Sequence, residues 1–326
     1  MKIITNLLCR SSLFIAAFSL SGATFAQDVY PSKPITILVG FPSGGPADIA
    51  ARLLAQGMTE TLKQSVIVEN RTGAGGNIAT VAVAKAPPDG YTILVATASF
   101  ALNAAQDPGK AGYDPIKDFA PVAMVATQAN AIAVNVNFPA KSIAELETLM
   151  KSKSISFATS GVGTTSDLSA AHLFKGLWKT DALAIPYRGA GPAGLAVAGG
   201  EPPVSFTTAT AVIPLQQQGK LRILGVISDK RLPSLPDVPT LAQSGFPQLN
   251  ASSTAVYVSA STPLAIQLKL NETFTRIMSQ KQYKDRFISA GMEPAEGRPL
   301  KDLTQYVKDE VGVWSEVLKT VGLSGK

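Results

Sequence analysis

The sequence has 326 residues and carries 29 Lys and Arg against 23 Asp and Glu, with 46% apolar and 16% charged residues. This apolar fraction with so few charges excludes a disordered chain. A chain of this length usually divides its core between two domains. Lys and Arg form no dense cluster and aromatic residues make up only 7%, so the sequence lacks the signature of a nucleic-acid-binding protein.

Residues 1–26 have the pattern of a secretory signal peptide. Lys2 and Arg10 precede the apolar run 11–20, and small residues lead to Ala26, after which we expect cleavage. The run is too short for a resident transmembrane helix. Cleavage would also remove Cys9, the only cysteine, and lower the net charge from +6 to +4, so we expect an exported, soluble protein without disulfides.

Short runs typical of strands alternate with longer helical patterns along most of the chain. Several of the strand-like runs are almost continuously apolar, as parallel strands covered on both faces are. In chain order, the predicted strands are 35–41, 65–69, 91–97, 131–136, 155–159, 182–187, 204–207 and 221–227. The predicted helices between them are 46–62, 77–86, 142–151, 165–177, 192–198 and 211–218. This alternation predicts an α/β fold.

The region after residue 231 breaks this alternation. Four prolines between 232 and 247 argue against a regular element there. One more predicted strand follows at 255–260, and then only helices, at 263–279, 281–290 and 299–321. We interpret this order as two α/β domains, each a mainly parallel sheet flanked by helices, with chain crossings near 126–131 and 251–255. Domain 1 would comprise 27–128 with 253–326, and domain 2 would comprise 129–252.

The residue inventory disfavours an enzyme. With His172 as the only histidine and no cysteine after cleavage, a Cys/His zinc site and Cys-His catalysis are excluded. His172 lies inside a predicted helix beside apolar neighbours and is interpreted as a packing residue. The P-loop and G-x-S-x-G patterns are absent. A G-x-G-x-x-G pattern at 189–194 lacks the acidic residue that a dinucleotide site needs about 20 positions later, and we interpret it as a tight turn.

Turns rich in Gly, Ser and Thr recur where a predicted strand ends and a helix begins. Such turns lie at the carboxyl ends of strands, where open α/β sheets bind ligands. Glycine permits close approach of the backbone, hydroxyls donate hydrogen bonds, and helix N-termini offer free N–H groups to an anion. Each turn alone is also an ordinary helix start, but their number in both halves favours a binding protein. The turns are 41–45, 71–76, 97–99, 160–166 and 188–191.

Several motifs in order resemble one family. The chain is similar to the periplasmic substrate-binding proteins of tripartite tricarboxylate transporters, the TctC-like or Bug receptors, over nearly all of the exported chain. The matching motifs are YPSKPI at 30–35, FPSGGPAD at 41–48 followed by Ala51-Arg52, VENRTGAGG at 68–76, PDGYT at 88–92, YDP at 113–115 with DFAPV at 118–122, PYRG at 186–189 and LPDVPT at 235–240.

The resemblance implies a two-domain periplasmic binding protein of the type II-like class, without enzymatic activity or cofactor. It would close about a hinge on a small carboxylate solute and pass it, as a monomer, to a small and a large membrane subunit. Family members hold the carboxylate with turn amides and hydroxyls. Carried to matching positions, the ligand-binding residues would be Ser43, Gly44, Gly45, Thr97, Ser99 and Asn103 in domain 1, and Gly161, Gly163, Thr164, Thr165, Ser166, Tyr187, Gly189, Ala190 and Thr207 in domain 2.

Three departures from the family pattern bear on the ligand. Asp167 stands where relatives commonly have His, and His172 where they have Glu. Thr207 replaces an acid at a strand end that faces the cleft in relatives, and Ser253 or Thr254 replaces a Trp. Because an acid at position 207 could recognise an amino group, its loss favours a non-amino mono- or dicarboxylate over an amino acid.

Two roles remain open at the level of sequence. The protein could be a receptor for solute uptake, or a receptor that reports ligand to a membrane sensor kinase. Neighbouring genes for transport subunits would favour the first role, and a neighbouring gene for a sensor kinase would favour the second.

Overall fold

The computed structural model describes residues 30–246 and 252–320. Both of its sheets belong to one compact unit that begins at Lys33. We call the first sheet with its helices the first lobe, and the second sheet with its helices the second lobe. The predicted signal peptide and the first residue of the predicted crossing at 251–255 lie outside the described residues.

The first lobe contains a six-stranded mixed sheet, with order β11-β4-β10-β3-β1-β2. β1, β2 and β3 are mutually parallel, β10 is antiparallel to both β3 and β4, and β11 is antiparallel to β4. Four of these six strands therefore point the same way. The strands are β1 (Ile35–Val39), β2 (Val66–Asn70), β3 (Thr92–Thr97), β4 (Phe119–Gln128), β10 (Ser252–Ser259) and β11 (Met292–Pro294).

The second lobe contains a five-stranded sheet, with order β7-β6-β8-β5-β9. β6 pairs in parallel with β7 and β8, whereas β5 is antiparallel to both β8 and β9. Four of the five strands again share one direction, so the mainly parallel α/β prediction is confirmed for both sheets. The strands are β5 (Asn130–Asn135), β6 (Ser156–Thr159), β7 (Leu183–Pro186), β8 (Val204–Thr208) and β9 (Leu221–Ile227).

Helices cover the faces of both sheets. The first lobe carries α1 (Pro46–Leu62), α2 (Asn77–Ala84), α3 (Ser99–Gln106), α4 (Pro108–Ala111), α9 (Leu264–Ser279), α10 (Lys281–Ser289) and α11 (Leu300–Thr320). The second lobe carries α5 (Ile143–Ser152), α6 (Thr165–Ala170), which continues as a π-helix over Ala171–Leu177, α7 (Ala190–Ala198) and α8 (Ala209–Gln217). No described helix is both long and apolar enough to cross a membrane.

Each lobe has its own apolar core, and a smaller cluster joins the two. In the first lobe Phe100 stacks on Tyr257 with ring centroids 4.3 Å apart. In the second, Phe174 meets Phe206 edge-on at 5.8 Å. The joining cluster packs Leu168 of α6 against residues of α3 and α11, including Trp314.

Four elements were not predicted: the strands β4 and β11, the helix α3 and the four-residue helix α4. β4 contains Pro121, which is unusual within a strand; it pairs with Tyr257 beside a register shift in the ladder, where proline is tolerated. α3 begins after Ala98 without a capping side chain. The prediction of helices only after 260 was wrong, because the three-residue strand β11 pairs with the end of β4. The predicted helix 299–321 is observed over Leu300–Thr320.

We expect Phe206→Ala to lower the free energy of unfolding by about 3–5 kcal/mol, because the cavity left by this fully buried ring has little room to collapse. Leu195→Ala, at a position 62% exposed on α7, is the matched control and should cost less than about 1 kcal/mol. Urea titrations of both variants measure the loss in the free energy of unfolding. Equal losses would contradict the core assignment.

Candidate functional site

A cavity lies between the strand-end turns of the two lobes, and we call it the inner cavity. It contains about 390 Å³ of space not filled by atoms, including open solvent. None of the side chains lining it is charged. From the first lobe it is lined by Phe41, Gly45, Pro46, Ala47, Thr97, Ser99, Gln128 and Ser252, and from the second by Ser160, Thr164, Thr165, Ser166, Ala190 and Thr208.

Helix N-termini surround the inner cavity. α1 begins there at Pro46, α3 at Ser99, α7 at Ala190, and α8 just after Thr208. None of these four helices has a side-chain hydrogen bond at its N-cap. Of their first-turn N–H groups, that of Ala209 in α8 donates to Ala129 O at 2.9 Å, and the others are left for solvent or a ligand. Each helix N-terminus also carries the equivalent of about +0.5 elementary charge, so four such ends make the inner cavity electropositive without a basic side chain.

Unused hydroxyls also face this cavity. Thr97, Ser99 and Thr165 make no side-chain hydrogen bond to any described residue, although Ser99 and Thr165 are buried. Other hydroxyls are occupied within the second lobe. Ser166 Oγ accepts from Ser160 N at 3.1 Å, and Ser160 Oγ lies 2.8 Å from Thr207 Oγ1. The inner cavity thus has two kinds of hydroxyl, those free to meet a ligand and those that fix the turns.

Asp48 fixes the turn between β1 and α1. Its buried carboxylate accepts from Gly44 N at 3.0 Å, from Asn70 Nδ2 at 3.0 Å and from Arg52 Nε at 3.0 Å. Burial would raise the pKa of Asp48, but the hydrogen bonds from Arg52, Asn70 and Gly44 outweigh it and hold the pKa below its ordinary value. Asp48 does not line the inner cavity, and its carboxylate accepts hydrogen bonds from the protein instead of facing a ligand.

Asp167 fixes the corresponding turn of the second lobe with the same four-residue spacing. Its Oδ2 accepts from Gly163 N at 3.1 Å and its Oδ1 from Thr159 Oγ1 at 3.2 Å. No arginine pairs with it among the described residues. Burial therefore dominates and raises the pKa of Asp167, and the bonds from Gly163 and Thr159 offset this only in part.

The predicted ligand-binding residues divide into three groups. Seven line the inner cavity: Gly45, Thr97, Ser99, Thr164, Thr165, Ser166 and Ala190. Three lie in cavities beside it: Asn103 near Thr97 and Ser99, and Gly161 and Tyr187 in a larger chamber. Five line none of these cavities: Ser43, Gly44, Gly163, Gly189 and Thr207.

The five residues outside the cavities have other surroundings. Ser43 and Gly44 are exposed, and the Gly44 N–H is already bonded to Asp48. Thr207 is fully buried against Ser160. A β-carbon at Gly189 would lie 2.8 Å from Pro42 Cδ, and one at Gly163 would lie 3.1 Å from Gln106 Oε1. These two glycines, both at positive φ, thus let the second-lobe turns pack against Pro42 and the α3 residue Gln106 of the first lobe.

The predicted ligand set omitted several lining residues. Gln128 and Ser252 lie on the strands through which the chain crosses between lobes, and β4 was not predicted as a strand. Ser160 and Thr208 stand next to predicted positions, so the turn and the strand end were found but not these side chains. Among the described residues, no group of three or more His, Cys, Asp and Glu is placed to hold a metal.

The larger chamber adjoins the inner cavity, and we call it the outer chamber. It encloses about 1170 Å³ of space not filled by atoms, including open solvent. Phe41 and Ser160 line both spaces, so the two spaces adjoin at these residues. The remaining walls are the turns 72–76 and 161–162 together with Tyr187 and Arg188. A β-carbon at Gly40 would lie 2.5 Å from Gly76 Cα, so only glycine permits the turn 72–76 to pack this closely.

Two α/β lobes linked by crossing strands, with a cavity between their strand-end turns, define the class of the periplasmic binding proteins. The family model described as the tripartite tricarboxylate transporter family receptor, TctC, matches residues 50–323. The chain belongs to this family.

Individual relatives agree with this assignment. Protein BugT of Bordetella pertussis is 33% identical over 328 residues, covering 98% of each chain. The solved structure of Rpa4515 from R. palustris with adipate is similar at a TM-score of 0.85 and 33% identity, covering 90% of this chain and 98% of that one. MatC of Rhodopseudomonas palustris, solved with bound malate, gives a TM-score of 0.81 and 31% identity over 89% of this chain and 100% of that one.

We expect Asp48→Asn to lower the free energy of unfolding by about 2 kcal/mol at pH 7, because an amide cannot replace the charged acceptor of three donors. Since the folded pKa of Asp48 is below its unfolded value, the carboxylate stabilises the fold above the unfolded pKa, and this contribution is lost as the pH falls through the folded pKa. The difference from the wild type should therefore shrink below about pH 4.

Urea titrations at several pH values measure this difference. Asp181→Asn, at an exposed aspartate, controls for the charge change and should have little effect at any pH. A difference for Asp48→Asn that stays constant down to pH 2 would contradict the assigned role of the carboxylate.

Proposed function

We propose that this protein is an exported periplasmic receptor that captures a small carboxylate solute and delivers it to the membrane subunits of a tripartite tricarboxylate-type transporter. The observation that carries the proposal is the convergence of four uncapped helix N-termini on a cavity lined only by neutral side chains. Family membership supports the transport partnership.

The electrostatics of the inner cavity favour an anion. Main-chain N–H groups at helix starts donate hydrogen bonds and present the positive end of the helix dipole, and anions bind such positions readily. The free hydroxyls of Thr97, Ser99 and Thr165 can donate as well. The nearby carboxylates of Asp48 and Asp167 are bonded to their own turns, so they offer little repulsion. A ligand carboxylate would be held by dipoles and hydroxyls rather than by a basic residue.

The lining of the inner cavity favours binding without chemistry. General acid-base catalysis needs a titratable group within hydrogen-bond reach of the substrate, and the fourteen lining side chains include none. A nucleophilic hydroxyl needs an adjacent base, and none lines the cavity. We therefore propose a binding receptor rather than an enzyme.

The cavity also favours a ligand without an amino group. An ammonium group would need an acid or several carbonyl acceptors, yet no carboxylate lines the inner cavity. Thr207, at the position where the sequence suggested a lost acid, is bonded to Ser160 instead. Two structural neighbours were solved with adipate and malate, and both ligands are carboxylates without an amine.

Capture would depend on movement between the lobes. We propose domain limits of 27–128 with 253–326 for the first lobe and of 129–252 for the second, with the hinge at the crossing around Ala129. The turns that touch through Gly189 and Gly163 would separate when the cleft opens. Such hinge closure is common among two-lobed binding proteins.

The direct test is calorimetry of the processed protein with paired ligands. We expect succinate, malate or adipate to bind more tightly than aspartate or glutamate, and a saturating ligand to raise the melting temperature. At 100 times its dissociation constant, a ligand stabilises the fold by about 2.7 kcal/mol. Tight binding of an amino acid while its des-amino analogue does not bind would contradict the proposal.

The free hydroxyls provide a mutational test. We expect Ser99→Ala or Thr165→Ala to weaken carboxylate binding by about tenfold without abolishing it, since each removes one hydrogen bond to a charged group while the main-chain donors remain. Gly163→Val should weaken binding far more, because it blocks a close contact at positive φ. Ser43→Ala removes an exposed hydroxyl outside the inner cavity and serves as the matched control. Calorimetry measures the affinity of each variant once it is shown to be folded. A larger loss of affinity from Ser43→Ala than from Ser99→Ala would argue against this site.

Small-angle scattering tests the closure. Ligand at saturation should decrease the radius of gyration, because the proposed closure would bring the two lobes together at the contacts of Gly189 and Gly163. An unchanged radius at saturating ligand would contradict closure and leave a rigid receptor.

A further inference from the structure

Two buried amide side chains flank the point where the chain first crosses between the lobes. Gln128 ends β4, and Asn130 begins β5. Both polar atoms of Gln128 are bonded. Its Nε2 donates to Ser252 Oγ at 3.2 Å and to Ser253 O at 3.1 Å, and its Oε1 accepts from Thr254 Oγ1 at 3.0 Å. Asn130 is fully buried, yet neither its Oδ1 nor its Nδ2 has a hydrogen-bond partner within the described part of the chain.

The neighbours of Asn130 do not bond to its amide. Asn130 stands opposite Thr208 of β8 and Ile227 of β9 in the ladder, so these two side chains flank it on the same face of the sheet. Thr208 Oγ1 lies 2.8 Å from Thr210 Oγ1 and is engaged there. Ile227 has no polar side-chain atom. Two positions further along this face, Ile132 belongs to the apolar core of the second lobe. The amide therefore lies at the cleft end of an apolar surface.

The other end of the same strand shows how a buried asparagine is normally accommodated. Asn135 is the last residue of β5. Its Nδ2 donates to Val197 O at 2.9 Å and to Ala198 O at 3.2 Å, and its Oδ1 accepts from Asn137 N at 3.0 Å. Buried polar groups in folded proteins are nearly always bonded in this way. Asn130 is thus an exception at the crossing, and not a general property of the strand.

An unpaired buried amide raises the free energy of the conformation that contains it. The amide loses its hydrogen bonds to water on burial and gains none from the protein in return. In the conformation that carries this cost the lobes are in contact, as the close approach of Gly189 to Pro42 shows. A conformation in which water reaches Asn130 would not carry it.

We propose that Asn130 biases the receptor without ligand towards an open arrangement in which water reaches its amide. The inference rests on the proposed function, since it requires the lobes to move about the crossing at Ala129. Thr208, which flanks Asn130, lines the inner cavity, so opening of this cavity brings solvent to the neighbouring amide. A bound ligand then supplies the free energy that keeps the amide buried. Affinity is set in part by a residue that does not line the inner cavity.

The test replaces the amide by apolar side chains. Asn130→Leu keeps the branching of the side chain but is larger, and Asn130→Ala leaves a small void, so an effect that both variants share comes from the amide and not from packing. Asn135→Ala removes a bonded amide from the other end of β5 and is the matched control. Calorimetry with succinate, malate and adipate measures affinity. Small-angle scattering and thermal melts without ligand measure the radius of gyration and the melting temperature.

We expect both Asn130 variants to bind the preferred acid about five- to tenfold more tightly than the wild type, because the ligand no longer has to keep an unpaired amide buried. Without ligand, both variants should have a smaller radius of gyration than the wild type, since the closed arrangement becomes more populated. Asn135→Ala should lower the melting temperature and leave the affinity and the radius unchanged.

Several outcomes would overturn the inference. Unchanged affinity with a higher melting temperature in the Asn130 variants would show that the amide is unpaired in the open arrangement as well. Weaker binding by both variants, or tighter binding by only one, would assign Asn130 a packing role. If the wild type binds none of the three acids, the proposed function fails, but the radii without ligand still test the inference. Equal radii for the wild type and the Asn130 variants would then overturn it, and smaller radii in both variants would support it.

Discussion

The arrangement of the site depends on the direction in which one strand leaves the first sheet. β4 runs towards the cleft in the same direction as β1 and β3, passes through Ala129 and continues as β5. Because β5 then runs away from the cleft and pairs antiparallel with β8 and β9, the parallel strands of the second sheet must end at the cleft. β10 returns to the first sheet under the same constraint. The antiparallel strand that enters each sheet from the other lobe, β10 in the first and β5 in the second, is therefore what turns two sets of strand ends, with the helix N-termini that follow them, towards one space.

The two lobes stabilise their leading turns in similar ways but with different electrostatics. In both, a glycine N–H at positive φ donates to an aspartate four residues later. Arg52 neutralises Asp48, whereas Asp167 is held by a backbone amide and Thr159 alone. The pKa values of the two carboxyl groups consequently shift in opposite directions. Because no arginine of the described chain is bonded to the carboxyl of Asp167, burial is the dominant influence on its pKa, and the charge of Lys175 offsets this only in part.

The sequence was sufficient for the elements with strong periodicity and for the turns between them. The apolar run of β3 and the long helix α1 were predicted within a few residues, because a parallel strand covered on both faces and an amphipathic helix leave clear patterns. β4 was not predicted, because Pro121 and several alanines give it a pattern unlike that of a typical strand. As a result, Gln128 at the end of β4 was not predicted as a lining residue. Ser43 and Thr207 show a second limit, because sequence locates a turn but not the direction in which its side chains point. The position of the outer chamber beside the inner cavity depends on how the turns of the two lobes meet, and no local pattern encodes that.

A positive potential built from peptide groups is insensitive to most substitutions. Every residue except proline carries the same N–H, so replacing a side chain at the start of α1, α3, α7 or α8 leaves the sign of the potential intact as long as the helix still forms. Side chains around the inner cavity can therefore diverge without a reversal of charge preference. In evolutionary terms, the backbone preserves what all descendants of such a scaffold share, and the neighbouring chamber is free to vary from one lineage to the next.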